Sequence, residues 1–511
     1  TMNSVSRIGV PIRNKGFGMM RSRSILWVLL ILFIGIPVLA QEDSPAIEWT
    51  PCWMDLPDGF VEGEDIECGY LLVPENRAKR GATPTIELAF AIVYAPTEDV
   101  QPDPIIYLAG GPGGNAVADV ESWMEIPYLG DRDLILLDQR GTGYSLPSLN
   151  CPEVEAGEDN GTQACRERLI EEGVDLQAYN SAENAADVAD LRVALEYAEW
   201  NLYGISYGTR LALTVMRDHP EGVRSVIIDS VYPPEVRSWE EYGQNTQDVF
   251  HRLFEACAAD RECNAAFPNL EQVFYETAAQ LDAEPVEYEG VDADTGETVP
   301  TVLSGSDLID RLFGVMYSTE SIPYIPWAIS EIANGNYAAL DDLEYGEMPE
   351  GGYRQIDGED ISDSEGMNTS VECQEEIAFL DEAAALANVP DAPEALRNNS
   401  LNAIRATFAD CQVWGVTAAD PVESQPVVSN IPTLVAAGEF DPITPAKWAE
   451  SAASHLPNSF FFVFPGGGHG VIDMNECSQG IMQDFLDNPT VEPDASCIAQ
   501  IGGPEWVLPP A

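Results

Sequence analysis

Gly204-Ile205-Ser206-Tyr207-Gly208 fits the pattern G-x-S-x-G, with a short apolar run ending in Leu202-Tyr203 before it and an amphipathic run through Leu211, Ala212, Val215 and Met216 after it. A serine on a tight strand-to-helix turn projects its hydroxyl away from the backbone, and residues without Cβ on either side let neighbouring chain approach. Ser206 is therefore the candidate nucleophile. A serine hydroxyl is weakly nucleophilic at its own pKa and needs a base within hydrogen-bond reach, itself oriented by an acid. Four histidines are available: His219 at the end of the run after the serine, His251 in mid-chain, His455 before the last long apolar run, and His469 directly after it in P-G-G-G-H-G. His469 is the expected base. For the acid, Asp441 in Gly438-Glu439-Phe440-Asp441-Pro442 follows the penultimate apolar run, and Glu439 and Asp229 are its competitors. Such a set performs acyl transfer.

These side chains must be held by strand ends. Cys68–Val73 and Ile86–Val93 alternate as two strands separated by a turn of Pro, Glu, Asn, Arg and Gly, and are expected to open a sheet as an antiparallel pair. Pro104–Ala109 and Asp133–Asp138 are continuous apolar runs of the kind a strand buried on both faces shows. The first runs into Gly110-Gly111-Pro112-Gly113-Gly114, which cannot be helical and whose amides can face a ligand; no G-K-[ST] follows, which disfavours a phosphate loop. A helical pattern over Asn184–Tyr197 leads to the serine strand, and Arg224–Asp229 follows as the next one. Strands alternating with helices predict a doubly wound, mostly parallel sheet, with its active groups beyond the carboxyl ends of the strands.

The alternation stops from about Ser238 to Pro421. Helical spacing dominates there, through Phe250–Cys257, Leu308–Met316, Ile377–Ala387 and Ala395–Phe408, and Asp341–Ser370 reads as an acidic, mobile loop. Sheet pattern resumes at Pro432–Gly438 and Ser459–Phe464. The expected organisation is a signal peptide over 1–40, a first core part over 41–237, a helical cap with its acidic loop over 238–424, and a second core part over 425–511. Gln41–Trp49 is too short to read as a propeptide or otherwise.

With these residues in place, the chain resembles the proline iminopeptidase and secreted tripeptidyl aminopeptidase (TAP-like) branch of the α/β-hydrolases. The matching stretches are G-G-P-G-G at Gly110–Gly114, D-Q-R-G-T-G-Y-S at Asp138–Ser145, W-N-L-Y-G-I-S-Y-G-T-R at Trp200–Arg210, G-E-F-D-P-I-T-P at Gly438–Pro445 and the late G-G-G-H-G. The order Ser206, Asp441, His469 is that of the family. Ala109 stands where intracellular proline iminopeptidases carry histidine, which suits the secreted branch. The resemblance implies an α/β-hydrolase fold with a helical cap between the nucleophile and acid strands. It also implies attack by Ser206, proton transfer through His469, orientation by Asp441, and an oxyanion hole from the amides of Gly111 and Tyr207. An aminopeptidase must also recognise a free ammonium, and Glu372, Glu375 and Glu376 in the cap are the candidate carboxylates. A carboxylesterase acting on small or aromatic esters with the same triad, and a non-catalytic binding protein on the same fold, are the alternatives.

Bulk composition narrows the setting. Arg7, Arg13, Lys15, Arg21 and Arg23 precede the apolar run Ile25–Ile36, and Val38-Leu39-Ala40 has the small-residue form of a cleavage site, so export is expected. Ten cysteines suit an oxidising compartment, and their spacing suggests sequential pairing: 52/68, 151/165, 257/263, 373/411 and 477/497. With 24 basic and 86 acidic residues the formal charge is −62, which excludes nucleic acid and anionic membrane as partners. The expected partner is a peptide or small ester substrate, bound by a monomer that leaves the membrane once its signal is cleaved. No cofactor or metal is expected, because neither H-E-x-x-H, a metal-spaced Cys/His cluster nor a dinucleotide fingerprint occurs.

Overall fold

Apolar runs bounded by turn residues become the strands β1 (Ala46–Thr50), β2 (Ile66–Pro74), β3 (Thr85–Val93), β4 (Ile105–Leu108), β5 (Leu134–Leu137), β6 (Trp200–Ile205), β7 (Val223–Asp229), β8 (Val286–Val291), β9 (Thr298–Leu303), β10 (Thr433–Gly438) and β11 (Ser459–Phe464). They belong to a computed structural model that describes residues 45–509 except 55, 58, 80, 98, 125–129, 158–159, 292–297 and 346–362. The expected signal peptide over 1–40 lies outside the described residues, as does most of the acidic loop.

Nine strands form one sheet in the order β1-β2-β3-β5-β4-β6-β7-β10-β11. β1, β2 and β3 pair antiparallel and join β5 antiparallel; from β5 to β11 every pairing is parallel. This is the α/β-hydrolase sheet expected from the sequence. Side chains alternate between two cores, as the period of a strand requires. Ile106, Leu108, Leu202 and Val226 meet the helices Ser181–Ala194, Tyr207–Asp218 and Ala446–His455 on one face, and Ile105, Tyr203, Ile227 and Leu434 meet the helix Glu476–Asp487 on the other. The chain leaves β4 for β5 on one side and then crosses to β6 on the other. The order therefore reverses between β4 and β6, and a crevice opens beyond their carboxyl ends. Gly110 and Ser206 stand at its two lips.

Between β7 and β10 lies the cap. Its own core gathers Phe250, Phe254, Phe274, Leu308, Leu312 and Ile329, and it takes in Phe440 from the loop after β10. Four features depart from the sequence reading. β8 and β9 form an antiparallel hairpin inside a segment expected to be helical. β1 adds a strand from the stretch left unread. Asp341–Tyr345 belongs to the helix Ala338–Tyr345, and Glu365–Ser370 opens the helix Glu365–Glu375, so both ends of the expected acidic loop are helical. The helix expected over Ile377–Ala387 is a short 3-10 turn, Ile377–Phe379, followed by a helix over Glu382–Asn388, because Asp381 caps a new start by accepting from the Ala384 N–H.

All ten cysteines are bridged in the sequential pattern, 52–68, 151–165, 257–263, 373–411 and 477–497. Among the described residues no helix is long and apolar enough to cross a membrane.

Candidate active site

Ser206 joins β6 to the helix Tyr207–Asp218 with φ 57° and ψ −126°, a backbone conformation that L-residues rarely adopt. The surroundings hold it there. A Cβ on Gly204 would lie 2.3 Å from the carbonyl oxygen of Gly208, and one on Gly208 would lie 1.9 Å from that of Leu108. Both flanking glycines are thus required by close backbone approach. Tyr207 opens the helix, so its N–H is among those that a helix leaves without an internal acceptor. The glycine loop after β4 lies against the serine: a Cβ on Gly110 would come within 3.0 Å of Ser206 Cβ.

The D-Q-R-G stretch after β5 holds this loop in place. Asp138 is buried; its Oδ1 accepts from the N–H groups of Ala116 and Val117 at 2.7 and 2.9 Å, and its Oδ2 from that of Tyr144 at 2.8 Å. Gln139 donates to the Ala109 carbonyl at 3.0 Å, at the entry to the glycines. The buried Arg140 makes a two-pronged pair with Asp187 at 2.8 and 2.9 Å and donates to the carbonyls of Glu75 and Ala178.

Nδ1 of His469 lies 3.1 and 3.0 Å from the two carboxylate oxygens of Asp441 and 3.2 Å from Thr444 Oγ1. Thr444 in turn donates from its hydroxyl to Asp441 Oδ2 at 2.8 Å and from its N–H to Oδ1 at 2.8 Å. Burial alone would lower the pKa of His469, but the charge and hydrogen bond of Asp441 outweigh it and hold the imidazole above its ordinary value. The competing acids sit elsewhere. Asp229 accepts from the N–H groups of Val471 and Ile472 at 2.7 and 2.8 Å, and Glu439 from that of Gly466 at 2.9 Å, so both brace the histidine loop by its backbone. His251 pairs with Glu255 and Glu271 on the surface, His455 faces the Ser451 carbonyl, and His219 ends the helix after Ser206.

The cap also grips the histidine loop. The His469 N–H donates to the Tyr317 carbonyl at 2.9 Å, the Gly468 N–H donates to Thr319 Oγ1 at 2.9 Å, and the Tyr317 ring lies 4.8 Å from the imidazole centroid to centroid. Losing one such hydrogen bond is worth about 0.5–1.5 kcal/mol. Thr319→Val is accordingly expected to lower kcat roughly twofold to tenfold with KM near the parent value, and Thr319→Ser to restore it; steady-state kinetics on any cleaved substrate checks this, and a change confined to KM would contradict it.

Ser206, Gly111, Thr444 and Tyr317 share a cavity of about 200 Å³ with Glu372 and the aromatic side chains of Tyr232, Trp239, Tyr242 and Trp448. Of the three cap carboxylates singled out in the sequence, Glu372 alone lines this cavity; its Oε2 accepts from Trp239 Nε1 at 2.9 Å and its Oε1 lies 3.5 Å from the Tyr232 hydroxyl. They do not sit at an exposed helix start, since the helix carrying Glu372 and Glu375 ends at Glu375 and Glu376 follows it. Glu375 accepts from the N–H and hydroxyl of Ser181 at 2.6 and 2.7 Å and lies 3.4 Å from the Arg210 guanidinium, which pairs with Glu376 at 2.6 Å. Arg210 belongs to the helix that Ser206 starts, and its guanidinium lies 4.9 Å from the Tyr232 ring centroid. Burial, with Glu376 nearby, pushes the Glu372 carboxyl up to about 7, and burial pushes Glu375 up to about 7.

The family profile for the alpha/beta hydrolase fold matches residues 103–288, and the profile described as TAP-like protein matches residues 400–497. The chain has the α/β-hydrolase fold. This hydrolase is 23% identical over 483 residues to serine protease Hip1 of Mycobacterium tuberculosis, covering 88% of this chain and 90% of that one. It is 28% identical over 223 residues to a tripeptidyl aminopeptidase of Streptomyces coelicolor, covering 38% and 40% of the two chains. Over 137 residues it is 27% identical to a proline iminopeptidase of Xylella fastidiosa, covering 27% and 34%. It is a serine hydrolase.

Sequence reasoning missed several groups in the hydrolase. Thr319 and Tyr317 come from the cap and carry no motif. Tyr232 follows β7 and Trp239 lies in the first turn of the first cap helix, and nothing in their spacing announces a carboxylate partner more than a hundred residues away. Arg210 was legible as part of the serine motif, but not as the partner of Glu375 and Glu376.

Proposed function

We propose that this hydrolase is an exported aminopeptidase that releases N-terminal residues or short peptides, of prolyl or tripeptidyl type, through an acyl-enzyme on Ser206. Ser206 Oγ attacks the scissile carbonyl carbon while His469 takes its proton; the N–H groups of Gly111 and Tyr207 hold the oxyanion, and Asp441 keeps the imidazole in the tautomer that presents Nε2 to the serine. His469 then protonates the leaving amine, and water, activated by the same base, releases the acyl group.

The observation that carries the peptidase reading is Glu372 in the wall of the serine's cavity. Glu372, Glu375 and Glu376 crowd around one guanidinium, that of Arg210, and the excess negative charge is buried. A substrate ammonium docking on Glu372 supplies the missing cation. Export is supported by the leader and by five bridges that persist only in an oxidising compartment. The aromatic wall also suits an aryl ester, which is the second reading.

Proline and Ala-Ala-Pro 4-nitroanilides, each with a free and an acetylated N-terminus, separate the two. The free-amine forms are expected to be cleaved far faster than the acetylated forms. A charge-assisted hydrogen bond is worth about 1.5–3 kcal/mol, so Glu372→Gln is expected to lower the free-amine to acetylated ratio of kcat/KM roughly tenfold to a hundredfold. KM for free-amine substrates should fall as pH rises through about 7, where Glu372 ionises, and rise again above about 8, where the substrate amine loses its proton. The acid limb on KM should vanish in Glu372→Gln, whereas the acid limb on kcat, set by His469, should persist. Equal cleavage of free and acetylated anilides, or cleavage of 4-nitrophenyl acetate alone, would overturn the aminopeptidase reading.

A further inference from the structure

The glycine loop after β4 is curled on itself and held from two sides. Its Gly114 N–H donates to the Gly110 carbonyl at 3.2 Å, and a Cβ on Gly111 would lie 2.6 Å from the Gly113 nitrogen. The sheet side holds its ends, through Gln139 on the Ala109 carbonyl and Asp138 on the N–H groups of Ala116 and Val117. The cap holds its middle. The helix Glu365–Glu375 starts there: the N–H of its cap residue, Ser364, donates to the Gly113 carbonyl at 2.9 Å, and the side-chain amide of Asn368 donates to the Pro112 carbonyl at 3.0 Å. The approach is close enough that a Cβ on Gly113 would lie 2.5 Å from the Ser364 carbonyl oxygen.

We infer that Asn368 is a positioning residue for the oxyanion hole: its amide fixes the peptide that follows Pro112 and so keeps the Gly111 N–H aimed at the place where the oxyanion forms. This rests on the acyl-transfer reading in which Gly111 is an oxyanion donor. Such a donor contributes to the rate only when it is directed beforehand at the developing charge. Peptide units are rigid planes joined at shared Cα atoms, so a carbonyl that turns carries its neighbours with it. The seating of the helix does not depend on Asn368. The Gly366 N–H donates to the Leu149 carbonyl at 3.0 Å, a Cβ on Gly366 would lie 2.3 Å from the same oxygen, and Glu375 accepts from Ser181 at the far end. The amide can be removed while the brace stays in place. Glu372 follows Asn368 by one turn on the same side of this helix. One rigid element therefore carries both the carboxylate in the cavity wall and the grip on the oxyanion loop.

Asn368→Leu removes the donor at similar volume, and Asn368→Asp removes it at the same shape. Both are expected to lower kcat about twofold to tenfold on any cleaved substrate, with KM near the parent value. The rate at which a fluorophosphonate phosphonylates Ser206 should fall by a similar factor, because Oγ displaces fluoride at a phosphorus whose oxygen takes the oxyanion's place; this readout is independent of substrate preference. Rates are counted per labelled serine, and thermal midpoints are compared with the parent. A merely structural role would lower the midpoint or the labelled fraction and leave kcat per labelled serine and the labelling rate at parent values, which would overturn the inference; so would a change confined to KM. If both variants keep the parent rates while the parent is labelled at Ser206 and turns over substrate, the inference fails and the acyl-transfer reading stands. If the parent is neither labelled nor active, both fail together.

Discussion

Ser206→Ala is expected to reduce turnover of every cleaved substrate by roughly 10⁴–10⁶-fold, the range seen when a hydrolase loses its nucleophile. The substitution deletes one oxygen and nothing else. The φ of 57° at this position is imposed by the backbone contacts of Gly204 and Gly208, and alanine keeps the Cβ, so the turn and its strain persist. Thermal stability should therefore match the parent, and substrate KM or inhibitor affinity should change little. Active-site titration with a fluorophosphonate probe gives an independent reading: the parent should be labelled stoichiometrically and Ser206→Ala not at all. Residual activity of a few per cent in a homogeneous preparation, or labelling of the variant, would remove Ser206 from the nucleophile's role.

Arg210→Met is expected to produce the largest loss of stability. The guanidinium is 1% exposed and meets Glu375 and Glu376, which are equally enclosed. Removing one partner of a buried ionic group leaves the other charges uncompensated, at a cost of about 3–5 kcal/mol. The sign of the pH dependence follows from Glu375, held at about 7 in the folded protein against an ordinary 4.5. Between those values the folded form binds more protons than the unfolded one, so stability falls as pH rises. Without Arg210, whose charge opposes that rise, the Glu375 carboxyl is held higher still. The deficit should be greatest above pH 7 and shrink towards pH 5, as the orphaned Glu375 takes up its proton. Chemical denaturation of parent and variant at both pH values measures it; a deficit that is small or independent of pH would show that Arg210 is not what balances these carboxylates. Because the same guanidinium anchors the segment that carries Glu372, discrimination between free and acetylated substrates should weaken in parallel.

How far the sequence disclosed this molecule depends on whether a feature is local. Gly204–Gly208, Gly110–Gly114 and the stretch around Asp441 each combine a strand end with residues that only a special turn needs, so a short window contains the whole signal. The parallel strands β4, β5 and β6 are continuous apolar runs for the same reason. The cap was less legible. Val286–Val291 alternates like a strand, but it stands among helical patterns, and pairing with Thr298–Leu303 is what makes it one. Glu365–Glu375 was hidden because the helix buries Gly366, Ser370, Gln374 and Glu375 beside only two large aliphatic side chains, Met367 and Val371, so it shows no apolar stripe. Its polar groups are satisfied from far away in the chain. Gln374 donates to the Tyr179 carbonyl at 2.9 Å, and Ser370 accepts from the indole of Trp414 at 2.9 Å. Such partners are set by tertiary packing, and no window of sequence contains both halves.

The placement of the five bridges bears on how this enzyme changes over generations. Cys257–Cys263 and Cys373–Cys411 close within the cap, Cys52–Cys68 and Cys151–Cys165 within the chain before it, and Cys477–Cys497 after it. No disulfide crosses from cap to sheet. A gene segment encoding 238–424 can therefore be exchanged for that of a relative without stranding a single thiol. The noncovalent seam that a newcomer must reproduce is broad: partners for Arg210 and Arg217, an acceptor for Ser181, contacts to Thr162, Arg166, Gln177 and Tyr179, and a carbonyl and a hydroxyl for the histidine loop. Substrate range can then diverge by recombination among relatives that keep this seam, with the acyl-transfer machinery inherited intact.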